Sequence, residues 1–365
     1  MEIRIFNWIE AQETLAHEWA RLVGELGINP SHDPRWMDAT VRSHELCDEA
    51  RVAALFDGDR LRGVFPFRQR RLHSLGLPLL GIEPLTNLVS YHAQLIAAED
   101  DAYRLLGGAL EHPLLAAWDL LHFDNVPAGS ATAGLLERIG KERGSRMIRR
   151  DGENSPYIKV SGDWQQFLAT RNNKFRVNAT RAIRKMAEAG ETGMAWYIGA
   201  DHSGQLLEQI LAIEELSWKA DAGIAIQQNP MEGAYHALLI PTLSEMGALF
   251  ANVLLVHDRP VAYVLCCHYR GWIGQLKTSF DKQLAAAGAR VIDASVQRAF
   301  GEGAEIYDFL GDAAPHKLRW THDLCLHGNY WIYSKRLLPS FIGAMKQLQE
   351  RRQPPAAAEP AAASH

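Results

Sequence analysis

Two stretches in the C-terminal half bring together residue types that could do chemistry. The first, Phe280-Asp-Lys-Gln-Leu-Ala-Ala-Ala-Gly288, follows a strand predicted over 272–279 and opens a helix predicted over 289–300. A loop of small residues entering a helix leaves backbone N–H groups unpaired and lets an anion approach them closely. Gln283, Ala286, Gly288, Ala289 and Arg290 are the residues such a loop would turn toward that anion. The second stretch is Tyr307-Asp-Phe-Leu-Gly311, followed by Pro315-His-Lys-Leu-Arg-Trp320. Its candidate chemical groups are the carboxylate of Asp308 and the ammonium of Lys317, with Tyr307 as a candidate substrate contact. Each also has a plainer reading: an ordinary helix cap, a strand-end Asp bonding local backbone, and a lysine paired with Asp308 or Asp312.

Further candidates lie outside these stretches. Asn87-Leu-Val-Ser-Tyr-His92 leads into a predicted strand, and a histidine titrating near neutrality suits proton transfer. His92 is therefore a candidate base and Tyr91 a candidate substrate contact, although a lone histidine more often sits on the surface or in a satisfied core. Trp218 closes a helix predicted over 203–218 and reads as core or pocket wall. Tyr330 and Tyr333 could protonate a leaving group, with packing the plainer role.

The elements that must position these residues repeat across the chain. At 365 residues, with 47% hydrophobic and 22% charged residues, the chain suits two globular domains. Each half reads as helix, antiparallel hairpin, strand, helix, strand. The hairpins turn at Asp57-Gly-Asp-Arg and at His257-Asp-Arg-Pro260, the separation an internal duplication would leave. The expected fold is α+β, with mixed, mostly antiparallel sheets flanked by helices. The expected domains are 1–154 and 155–345, with a Pro- and Ala-rich disordered tail over 351–365. The region 75–84 reads as an apolar loop, and 164–189 as one long basic helix.

Composition narrows the function classes. The four cysteines form no CxxC pair, so neither a zinc site nor a disulfide framework is expected, and a reducing cytoplasm fits. A net charge of −5 argues against nucleic acid as a partner. The N-terminus lacks a signal-peptide pattern and no apolar run is long enough for a bilayer span, which leaves room for peripheral contact with the inner membrane.

The spacing Gln283-x-x-Ala286-x-Gly288 resembles the pyrophosphate loop of GNAT acyltransferases, with Ala286 where glycine is usual. The segment from Tyr307 to Trp320, together with the basic stretch 167–185, resembles the CelD-type family of tandem GNAT domains. Fem-type aminoacyltransferases share that architecture. The resemblance covers residues 155–333 well, and the N-terminal half by element order and by Asp33-Pro-Arg-Trp36.

What the resemblance implies is two tandem GNAT-like domains, with acyl-CoA as cosubstrate bound at Gln283, Ala286, Gly288, Ala289 and Arg290, and no metal. It further implies transfer to a small-molecule or lipid amine, with a long-chain sphingoid base, as in bacterial ceramide synthesis, as the leaning. It places Lys317 at the reacting carbonyl, and His92 where tandem enzymes present acceptor-binding groups. Amino-sugar or exopolysaccharide N-acetylation, Fem-like aminoacyl-tRNA-dependent transfer, and a non-catalytic role in polysaccharide assembly are the alternatives.

Overall fold

The computed structural model describes residues 1–86, 92–199 and 203–352. The chain divides into two compact units, Met1–Asn154 with Cys325–His365, and Ser155–Leu324.

The first unit opens with strand β1 (Glu2–Asn7) and helix α1 (Trp8–Glu25). The Asn7 side chain caps α1 by accepting from the Glu10 N–H, and Trp8, Ala11, Leu15, Trp19 and Leu22 recur at helical spacing to form its buried stripe. Helix α2 (Pro34–Ser43) starts on an Asp33 cap with proline at its first position. Strands β2 (Ala50–Asp57), β3 (Arg60–Ser74) and β4 (Leu77–Pro84) then form a meander. The region 75–84, expected to be an apolar loop, is thus mostly β4. Its burial is continuous toward its end rather than alternating, so period two does not mark it, and a Cβ on Gly81 would lie 2.3 Å from the Leu72 side chain, which would have to shift. The two-residue strand β5 (Ile96–Ala97), helix α3 (Glu99–Glu111), strand β6 (Leu120–Pro127), helix α4 (Ala131–Glu142) and strand β7 (Arg146–Asp151) follow.

The second unit begins with β8 (Ser155–Lys159). The long basic helix is interrupted. Helix α5 (Trp164–Thr170) ends where Asn172 caps α6 (Asn173–Ala189) by accepting from the Phe175 N–H. Strand β9 (Thr192–Ile198) is followed by α7 (Ser203–Leu216), the short α8 (Trp218–Asp221) and α9 (Pro230–Glu245). Next come β10 (Leu249–Val256), β11 (Arg259–Tyr269), β12 (Trp272–Phe280), α10 (Ala285–Ala299), β13 (Ile306–Asp308), α11 (Pro315–Leu318) and β14 (Leu324–Cys325). Helices α6 and α10 cover one face of the sheet and α7 and α9 the other. On β11, Tyr263 reaches Glu214 of α7, whereas Cys266 lies against Ser295 of α10.

The chain then returns to the first unit as β15 (His327–Tyr333) and α12 (Leu337–Arg352). Residues 325–345, expected in the second domain, therefore lie in the first. The first sheet runs β1-β2-β3-β4-β6-β15-β7, with β5 on β3, and the second runs β9-β10-β11-β12-β13-β8-β14. Each contains a parallel pair, β4 with β6 and β12 with β13, flanked on both sides by antiparallel neighbours. The shared order shows why no residue identity is needed for the halves to look alike. The strand next to the parallel pair comes from the chain's end in one sheet and from before the domain's first helix in the other. Of the expected disordered tail over 351–365, residues 351 and 352 instead end helix α12, and 353–365 lie outside the described residues.

Candidate active site in the second unit

The site is built around β12. Its parallel pairing with β13 covers only Trp272–Ile306, Ile273–Tyr307 and Gly274–Asp308, after which β12 runs on to Phe280 along β11 alone. The sheet splays at that point, leaving one edge of β12 without a strand neighbour. Past Phe280 the chain turns through Asp281, whose side chain accepts from the Gln283 N–H and whose carbonyl accepts from the Leu284 N–H, and enters α10 at Ala285.

The helix begins four residues earlier than the sequence suggests. Ala286, Gly288, Ala289 and Arg290 lie inside α10 rather than in a loop, and only Gln283 belongs to the turn. Ala286 therefore needs no left-handed backbone, and its methyl group costs nothing there. Gly288 has a packing role, since a Cβ on it would lie 2.4 Å from the Phe280 ring. The absent side chain lets α10 settle on the end of β12 and aim its first turn, with the positive end of its dipole, beside the splay.

A cavity of about 270 Å³ adjoins this helix, lined by Lys174, Phe175, Asn178, Ala289, Asp293 and Arg319, among others. Lys174 and Arg319 supply cations suited to a phosphorylated ligand. The Asp293 carboxyl is buried, which pushes it up to about 6 against the pull of Arg319 and Arg290, and its Oδ2 has no hydrogen-bond partner among the described residues.

Tyr307 is fully buried on the α10 face. Its hydroxyl donates to Gln275 Oε1 at 3.0 Å and lies 3.1 Å from Ser295 Oγ, a packed polar knot rather than a substrate contact. Asp308 is also buried, which raises its carboxyl to about 6 although the Leu310 N–H donates to its Oδ1 at 2.8 Å. Lys317 Nζ lies 2.6 Å from the Leu310 carbonyl oxygen, 3.1 Å from that of Asp312 and 3.4 Å from Asp312 Oδ1. Its three donors are directed at the loop after β13, which it clamps.

Other expected residues are not brought to this site. Trp218 starts α8 at 52% exposure, so it is neither core nor an enclosed pocket wall. His92 is buried in the first unit, its Nδ1 3.2 Å from His327 Nε2, and burial together with its neighbours His327 and His32 lowers it to about 3. His92 is thus part of the buried core of the first unit. Tyr330 is likewise core, and Tyr91 lies outside the described residues.

The α9 face carries a cluster that sequence reasoning missed. The β11–β12 register shifts at Leu265 and Cys266, which pair with Lys277 and Gln275, so Leu276 is an extra residue. This bulge rephases the strand. Gln275 points to the α10 face, and Lys277 turns to α9, where its Nζ lies 2.8 Å from Glu232 Oε2. Beside it, fully buried Glu214 accepts from Tyr263 Oη at 2.7 Å and from Lys219 Nζ at 3.1 Å. Burial lowers the Lys219 ammonium, with Glu214 opposing. Helix α9 went unread because Pro241 interrupts it and its apolar residues do not form one stripe. The Asn229-Pro230 start, with Glu232 in the first turn, was the available signal.

Among the described residues no cluster of His, Cys, Asp and Glu is arranged to hold a metal, and no helix is long and apolar enough to cross a membrane.

Residues 173–318 match the acetyltransferase (GNAT) domain family, a span containing α6, the splayed strands, α10 and Lys317. No curated protein matches the sequence. Among solved structures, FemX aligns over 96% of this chain and 100% of its own, at 10% identity and a TM-score of 0.57. A protein of unknown function from Bacteroides thetaiotaomicron aligns over 91% and 100%, at 10% identity and 0.55. The C-terminal domain of a putative lysylphosphatidylglycerol synthetase from Agrobacterium fabrum aligns over 76% and 88%, at 10% identity and 0.50. At such identity these likenesses concern the fold. Residues 173–318, which hold the splayed β12–α10 geometry, are thus similar to an acetyltransferase (GNAT) domain, and this match supports an N-acyltransferase enzyme.

Proposed function

We propose that the protein transfers an acyl group from acyl-CoA to an amine, with the donor bound along the free edge of β12 and its pyrophosphate at the first turn of α10. The observation that carries this is the splay after Gly274 and Asp308, which exposes the β12 edge directly before a helix N-terminus held close by Gly288. Gln283, Ala286, Ala289 and Arg290 flank that terminus, and Lys174 and Arg319 extend the cationic wall. Asp308, buried at the point of the splay, holds the Leu310 turn that borders it.

For the acceptor we favour a long-chain amine of the sphingoid type. Trp218 and Ile224, on the segment between α7 and α9, and Met231, in the first turn of α9 beside Glu232, present apolar side chains at 52%, 54% and 50% exposure. The same side chains suit peripheral contact with a membrane surface, from which such an amine would be drawn.

Calorimetry with acetyl-CoA and palmitoyl-CoA tests the donor, and saturable binding of at least one is expected. No binding of either would overturn the reading. Incubation with sphinganine, glucosamine and ethanolamine, followed by mass spectrometry, identifies the acceptor. An N-acylated glucosamine without N-acylated sphinganine would replace the lipid reading with the amino-sugar one.

A further inference from the structure

The acceptor side of the site has an assembled group of its own. Glu232, in the first turn of α9, orients two neighbours at once. Its backbone carbonyl oxygen lies 2.8 Å from His236 Nδ1, and its carboxylate oxygen Oε2 lies 2.8 Å from Lys277 Nζ. A carbonyl can only accept, so Nδ1 carries the proton and Nε2 of the neutral ring is left with a lone pair. His236 is fully buried, and Nε2 has no hydrogen-bond partner among the described residues. A buried polar atom left unpaired costs on the order of 1–3 kcal/mol, and a cost of that size calls for a function.

Position gives the second argument. Lys277 follows the bulge residue Leu276, three residues along β12 from Gly274, where β13 departs. Without the bulge Lys277 would point to the α10 face with Gln275's neighbours, and no cation from β12 would face α9. Of the three Lys277 donors, one is used by Glu232, and no other partner is present among the described residues. Lys317, by contrast, is engaged by its own loop.

We propose that His236 and Lys277, both positioned by Glu232, are the catalytic residues on the acceptor side of the acyl transfer. The inference rests on the acyl-CoA-dependent reading above. The amine nitrogen forms a bond to the thioester carbonyl carbon, and its proton passes to His236 Nε2. Lys277 Nζ donates to the oxyanion, and the C–S bond breaks with its electron pair leaving on sulfur as the coenzyme thiolate. The imidazolium then returns its proton to the thiolate or to water. The charged and titratable groups facing the imidazole are Glu232 and Tyr235 on its own helix, Lys277 on β12 and Glu214 on α7, with Lys219 of α8 and Tyr263 of β11 bonded to Glu214. Burial holds the imidazole below the ordinary histidine value, with Lys277 acting in the same direction, so the ring is neutral and able to accept a proton at neutral pH.

The test combines kinetics with spectroscopy. Asparagine at 236 keeps a donor near Nδ1 and lacks the Nε2 base. His236→Asn should lower kcat about 100-fold or more with acetyl-CoA and the amine of the above panel that is acylated fastest, and should remove the acidic limb of the pH–rate profile. Lys277→Met should lower kcat about 100-fold. In both variants acetyl-CoA affinity, measured by calorimetry, should stay within about threefold of the original. Nitrogen-15 NMR of the intact protein with acetyl-CoA bound should show His236 protonated on Nδ1 and bare on Nε2 at neutral pH. A proton on Nε2, or kcat within about fivefold in either variant, would overturn the inference. Loss of acetyl-CoA binding in the unsubstituted protein would instead remove the reading on which it rests.

Discussion

Lys317 Nζ lies 2.6 Å from the carbonyl oxygen of Leu310, the residue whose own N–H is bonded to Asp308 Oδ1 at 2.8 Å. Leu310 has a φ of 50° and the following Gly311 a φ of 62°, so two successive residues bend the chain through left-handed backbone where β13 ends. The lysine and the aspartate hold that bend from its two sides. The carboxylate satisfies the amide and the ammonium satisfies the carbonyl, and together they fix the border of the splay.

Lys317→Ala should therefore act first on stability. Removing a charged donor from a largely buried carbonyl costs about 1–3 kcal/mol. A lower urea midpoint, with acetyl-CoA affinity reduced in proportion to the loosened loop, is the expected result. Full stability with turnover abolished would instead assign Lys317 to the reacting carbonyl.

Gly288→Ala tests how α10 is seated. The new Cβ would meet the Phe280 ring at 2.4 Å, a separation that something must relieve. Overpacking of this kind costs about 1–3 kcal/mol, and the shift would move the first turn of α10 from its place beside the splay. Thermal melting should fall and the Kd for acetyl-CoA should rise. Phe280→Ala in the same chain should recover much of both. Ala286→Gly should bring no gain in affinity, because Ala286 already has helical backbone, and it should cost about 1 kcal/mol in helix stability.

The architecture was legible where patterns were local. Asp57-Gly-Asp-Arg placed one hairpin, since Gly58 has the positive φ of 60° that such a turn requires. The Tyr307–Trp320 stretch opened on β13, the strand from which β12 departs in the second sheet. Boundaries failed where capping, rather than periodicity, decides them, as at Asn172, whose side chain starts a new helix within one basic run. The surroundings of the candidate site residues were illegible for a different reason. Residue type does not reveal that Lys317 is occupied by its own loop or that Tyr307 is sealed by Gln275 and Ser295. Nor can alternation alone place Lys277 on the α9 face, because the bulge at Leu276 is a property of the pairing and not of the strand.

Asp293→Asn should stabilise the protein at high pH. Burial raises the Asp293 carboxyl to about 6 from an ordinary 3.8, so the folded state holds its proton more tightly than the unfolded chain. The favourable contribution is complete below 3.8 and is lost as pH rises through about 6. At pH 8 the buried anion is a burden that an amide removes, with an expected gain of about 1–2 kcal/mol. At pH 4 the two proteins should melt alike. A variant less stable at pH 8 would show that Arg319 and Arg290 outweigh the burial.

The first unit should be sensitive to acid through its buried histidines. His32 and His92 are lowered from 6.5 to about 4 and about 3, in each case by burial first, with His327 and His32 opposing charge on His92. Three ring nitrogens, His32 Nε2, His92 Nε2 and His327 Nδ1, have no hydrogen-bond partner among the described residues, so a second proton on any ring would be a buried, unsolvated charge. The unfolded chain takes up protons near 6.5 while the folded unit refuses them. The stabilisation is therefore whole above 6.5 and falls as pH drops toward 4 and then 3. The slope is at most about 1.4 kcal/mol per pH unit for each histidine. Urea midpoints from pH 8 to pH 4.5 should be flat and then decline, and His92→Leu should reduce the acid slope by close to one proton, whatever its effect on stability at pH 8. An unchanged slope in that variant would mean that His92 is already protonated in the folded unit, and the neutral, enclosed histidine cluster described for it would be wrong.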